Sequence, residues 1–85
     1  MDRFLIESPH EADDCKRVVK DVSAEGFLYN FDWGCEVGVH KAWAILEAEN
    51  EAQVLRAVPR ALRPKATATR IIKFDADQIK KWSTD

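Results

Sequence analysis

His10, Cys35 and His40 are the residues of this chain whose types best suit a divalent transition metal. Imidazole and thiolate donors match nickel, copper or zinc. Cys35 and His40 are separated by four residues around an expected hairpin turn, a spacing that can bring both to one place. His10 comes just after the first expected strand. In the expected layout it and the turn fall at opposite ends of their own units, so a second copy of the chain is one way to unite the three. The plain alternative is a packed hairpin cysteine with two surface histidines.

A second set lies within the same hairpin. Asn30, Asp32, Lys41 and Trp43 combine an amide, a carboxylate, an ammonium and an indole. Asn30, Lys41 and Trp43 suit binding of a planar organic molecule, the indole stacking on it. Asp32 or His40 suits proton transfer. The plain alternative is a dimer interface with an Asp32–Lys41 cross-strand pair. Cys15 lies on an apolar helical stripe and reads as a core residue. Ser8, Ser23 and Ser83 lack the local signature of a nucleophilic triad. With glycine only at 26, 34 and 38, no phosphate-cradling loop is present.

The elements that must position these residues follow from spacing and punctuation. Residues 3–7 suit a first strand. Ser8, Pro9 and Glu11 then read as N-cap, first helical residue and capping-box partner. Ala12, Cys15, Val18, Val19 and Val22 form the apolar stripe of the helix that follows, and Gly26 marks its exit. The aromatic-rich run 27–33 predicts a second strand, 34–38 a turn, and 39–48 its antiparallel partner. Asn50 with Gln53 predicts the cap of a second helix that Pro59 ends or bends near Val58. A connection at 61–66 leads to a fourth strand at 67–74. Asp75 with Gln78 repeats the capping signature before a short terminal helix.

The order is strand, helix, strand, strand, helix, strand. It predicts one α+β domain over residues 1–85: a ferredoxin-like βαββαβ arrangement with a four-stranded antiparallel sheet, two helices on one face and a short C-terminal helix. A turn centred on Glu36–Val37 pairs Trp33 with His40 and Phe31 with Ala42. Alternation then sends Phe31, Trp33, His40, Ala42, Ala44 and Leu46 to the helix side. Leu28, Asn30, Asp32, Lys41, Trp43, Ile45 and Glu47 go to the open side.

Composition narrows the function classes. The chain has 85 residues, 46% hydrophobic and 33% charged, the balance of a globular protein. A domain this small is marginal alone, which favours a homodimer. The Met1–Glu7 stretch is too short in apolar residues for a secretory signal, and no run is long enough to span a membrane. A cytoplasmic location with reduced thiols is therefore expected. Net charge is −2, yet Arg56, Arg60, Arg63, Lys65, Arg70 and Lys73 fall in a stretch with no acid, all 15 acidic residues lying outside it. That stretch reads as a solvated face or an anion-binding edge. Lys41–Ala48 is faintly similar to the third-strand signature of RNA-recognition domains, but its second stacking aromatic is absent and the overall charge has the wrong sign for phosphate. Nucleic acid is not an expected partner.

The run Val39-His40-Lys41-Ala42-Trp43-Ala44-Ile45-Leu46-Glu47-Ala48, followed by Asn50-Glu51-Ala52, resembles small ferredoxin-like proteins of unknown function, a group that includes a nickel-binding member. In layout the chain also resembles the dimeric α+β barrel superfamily, in which two sheets pack face to face. The resemblance implies a homodimer that binds a small ligand or a metal such as nickel. The alternative it implies is a cofactor-independent cyclase, isomerase or monooxygenase acting on a small organic substrate in the barrel cleft.

Overall fold

Strand alternation builds the centre of the molecule. In the computed structural model, which describes residues 1–82, strand β1 (Asp2–Pro9) buries Phe4, Ile6 and Ser8 on one face. Strand β3 (Lys41–Ala48) buries Ala42, Ala44 and Ala48 on the same side. The two run antiparallel from Asp2 opposite Ala48 to Pro9 opposite Lys41. Strand β4 (Thr67–Ile71) pairs with the other edge of β1, and the short β2 (Phe31–Trp33) pairs with β3. The sheet is antiparallel throughout, in the order β2-β3-β1-β4.

Helix α1 (Cys15–Ala24) contributes Val18 and Val22 to the core. After Asn50 come a four-residue helix α2 (Glu51–Val54) and a 3-10 turn (Leu55–Ala57), which add Val54, Ala57 and Val58. These residues form one cluster with Phe4, Ile6, Phe31 and the β3 alanines. Alanine at 42, 44 and 48 keeps that sheet surface low, so the helical segments approach closely. The architecture is therefore α+β, an antiparallel sheet packed against helices. A last helix, α3 (Ala76–Lys80), carries the expected Asp75–Gln78 capping box. No helix among the described residues is long and apolar enough to cross a membrane.

Several expectations are corrected. Ser8 is not a helix cap. It is a buried strand residue opposite Ala42, because its side chain continues the Phe4–Ile6 inward alternation. The first helical turn instead begins with a 3-10 segment at Ala12–Asp14. Residues 28–30 form a 3-10 turn rather than strand. The second helix is much shorter than its stripe suggested, and 60–65 is 3-10 helix around Pro64. Asn50 does cap its helix, accepting from the Gln53 N–H at 2.8 Å.

The hairpin register also differs. Phe31 faces Ala44 and Trp33 faces Ala42, a shift of two residues from the expected pairing. A shift of two preserves the side of every strand residue, since side chains alternate with period two. The inward and outward sets within β2 and β3 therefore stand. His40 falls outside the strand, in a loop longer than expected.

Candidate metal centre

The loop between β2 and β3 is shaped by its glycines. Gly34 N–H donates to the Lys41 carbonyl at 3.0 Å, and Val39 N–H returns to the Gly34 carbonyl at 2.9 Å. A Cβ on Gly34 would sit 2.5 Å from the Val39 carbonyl oxygen, so only glycine fits this neck. A 3-10 turn (Cys35–Val37) follows, and Gly38 reverses the chain at φ +86°. The neck holds Cys35 and His40 at the two shoulders of the loop.

His10 reaches this loop because pairing continues one residue past β1. Its backbone N–H donates to the His40 carbonyl at 3.0 Å. The two imidazoles lie edge to face with centroids 6.0 Å apart, and Trp33 flanks His10 at 6.5 Å. Donor atoms of His10, Cys35 and His40 all fall within 4.8 Å of one another. Neighbouring donors in a tetrahedral zinc site lie roughly 3.3–3.8 Å apart, so side-chain adjustments of about 1 Å bring the three to ligating distance. The three residues expected to bind metal thus converge within a single chain.

The centre is partly shielded. His10 is only 9% exposed, while Cys35 and His40 are half-buried. Burial holds the His10 imidazole below its ordinary pKa of 6.5, the neighbouring His40 adds to that lowering, and Asp14 opposes it. The neutral ring is the form that ligates metal. The Nδ1 atoms of both His10 and His40 are buried without a hydrogen-bond partner among the described residues. An unsatisfied buried nitrogen costs about 1–3 kcal/mol.

Cys35 has another engagement. Its sulfur is joined to that of Cys15 at the start of α1, across a Cα separation of 6.8 Å. The expectation of two reduced thiols, with Cys15 a simple core residue, is corrected. The first helical turn projects Cys15 toward the loop rather than into the centre of the core, where it is half-buried. His10 Nε2 lies 3.1 Å from the Cys35 sulfur. A disulfide sulfur carries no proton, so Nε2–H is the donor and Nδ1 is left as the bare acceptor. A cleft of about 660 Å³ opens beside the sulfurs, lined in part by Asp13, Lys16, Glu36 and His40.

The second expected set is arranged differently. Asp32 is exposed on β2 opposite Trp43, while His40 belongs to the loop cluster. Asn30 is exposed in the 3-10 turn before β2. Lys41 and Trp43 share a partner that sequence reasoning missed. Glu7 Oε1 accepts from the Trp43 indole N–H at 3.0 Å and lies 3.7 Å from the Lys41 ammonium. Alternation along β1 was the available signal, since Glu7 shares the open face with Leu5 between β3 and β4. Part of the basic stretch is also engaged: Arg63 donates to the Val58 and Arg56 carbonyls, and Arg70 pairs with Asp2.

Comparison with protein-family models, curated proteins and solved structures finds no match to this chain.

Proposed function

We propose that this protein binds a divalent transition metal ion (nickel, copper or zinc) through His10, Cys35 and His40. The observation that carries the reading is convergence: His10 meets Cys35 and His40, 25 and 30 residues further along the chain, with donor atoms within 4.8 Å, and two buried imidazole nitrogens have no partner among the described residues. The nitrogen and sulfur donor set suits borderline metals rather than calcium or magnesium. The element order and the sheet order β2-β3-β1-β4 support a ferredoxin-like βαββαβ frame for the site. Calorimetric titration of the reduced protein with zinc and nickel tests the reading. One ion per chain is expected, with at least tenfold weaker binding for His10→Ala and for His40→Ala. Unchanged binding in both variants rules the site out.

A homodimer is the proposed assembly. The segment after β4 leaves Ile72, Phe74, Ile79 and Trp82 each more than half exposed, with Phe74 and Trp82 stacked edge to face at 5.2 Å. The radius of gyration is 15.7 Å, against about 12 Å for a compact domain of this length. An extended apolar arm of this kind suits a second copy of the chain. The exposed open-face pair Leu5–Ile45 supports the same partner.

A further inference from the structure

We infer that Cys15 is the redox gate of the metal centre and, in the reduced protein, its fourth ligand. This inference rests on the metal-binding reading above and adds to it a state in which the metal cannot be held. The sulfur of Cys35 is bonded to Cys15, and it also lies 3.1 Å from His10 Nε2 in the cluster with His40, where a metal would need it free. A metal takes thiolate, and a disulfide sulfur has no charge to offer. The two uses of Cys35 exclude each other.

Reduction changes the count of donors. Two electrons and two protons convert the Cys15–Cys35 bond into two thiols. A dithiol reductant supplies both and leaves as its own disulfide. The freed Cys15 sulfur starts in contact with the Cys35 sulfur, at the edge of the cluster. In a tetrahedral site two thiolates lie about 3.8 Å apart, a modest separation from bonded contact. The Cα separation of 6.8 Å leaves both side chains room to turn toward a shared ion. Metal binding then releases the two thiol protons, and the set becomes two cysteines and two histidines, the composition of a closed structural zinc site.

Oxidation reverses the sequence. A peroxide accepts two electrons from the thiolates and, with two protons, becomes water; the S–S bond re-forms and the ion departs. The cleft of about 660 Å³ between α1 and the loop, lined by Cys15 and Cys35, gives both reagents a route to the sulfurs. The hairpin neck and the His10–His40 backbone bond do not depend on the disulfide, so the ligand frame is retained in both states.

Cobalt(II) serves as the probe, because thiolate–cobalt charge transfer reports sulfur ligation. Fully reduced protein is expected to bind one cobalt per chain with a strong thiolate band. Protein oxidised to the disulfide, verified by the loss of two hydrogens in intact mass, should bind at least a hundredfold more weakly. Peroxide added to the loaded protein should abolish the band as the disulfide forms. Cys15→Ser should keep a single-thiolate band of about half intensity and bind at least tenfold more weakly. Circular dichroism confirms that the variant is folded, and Cys15→Ala is the second variant if serine disturbs α1. Equal affinity in oxidised and reduced protein, or wild-type band and affinity in both Cys15 variants, overturns the gate. If the reduced His10→Ala and His40→Ala proteins also bind cobalt(II) as the wild type does, the metal centre itself falls. If only the Cys15 results fail, the three-ligand centre stands without its gate.

Discussion

At the scale of single residues, one imidazole stands out by its environment. His10 is buried, lies beside a second histidine and has Asp14 nearby. Its folded pKa lies below the unfolded 6.5, so between the two values the unfolded chain binds more protons than the folded one. Stability from this group is complete above 6.5 and is lost as pH falls through the lowered folded value. Metal-free protein should therefore show a declining denaturation midpoint from pH 7 downward, with His10→Gln flattening the decline. Proton-detected titration should find the His10 ring below 6.5, and His40→Ala should move it upward. Glu7 shows how a residue can matter without ligating anything. It orients Trp43 and Lys41 on the open face through one carboxylate oxygen. The ion pair is about 42% exposed and contributes at most about 1 kcal/mol.

At the scale of elements, the β2–β3 loop positions two of the three candidate ligands. The strands fix the neck, and the neck positions Cys35 and His40. Gly34 admits no Cβ, so Gly34→Ala must push the Val39 carbonyl away. We expect a loss of about 1–3 kcal/mol from this overpacking, read by urea denaturation, together with at least tenfold weaker metal binding. Tight metal binding by a folded Gly34→Ala protein would show that the loop adapts. The capping signals at Asn50 and Asp75 were legible because each acts within four residues. The Ser8 signal misled because its competitor was nonlocal: pairing with β3 and burial against the core favour strand there.

At the scale of the whole molecule, two features lie outside the small core. One is the cross-link between α1 and the hairpin, which closes a separation of 20 residues. Constraint of the unfolded chain over that span is worth about 3 kcal/mol. Denaturation with and without reductant in the presence of a chelator should differ by that order, and zinc added to the reduced protein should restore part of it. The other is the apolar arm after β4. Sedimentation should give a dimer at micromolar concentration, and Phe74→Glu with Trp82→Glu should shift it to monomer while leaving the circular dichroism of the sheet intact. A wild-type monomer would remove the arm from the assembly.

Much of the outline was written in local pattern. Alternation named the faces of the sheet, and the faces survived a two-residue error in register because the side-chain period is two. Residue type, with the Cys35–His40 spacing, nominated His10, Cys35 and His40. What no local pattern could supply was their meeting. That depends on the backbone bond from His10 to His40, on a loop two residues longer than expected, and on α1 entering so that Cys15 meets Cys35. Each is a contact between segments far apart in sequence, set by how the helix packs on the sheet. The sequence by itself determined which donors were available; the tertiary structure decided that they share one place and that one of them, Cys35, is bonded there to Cys15.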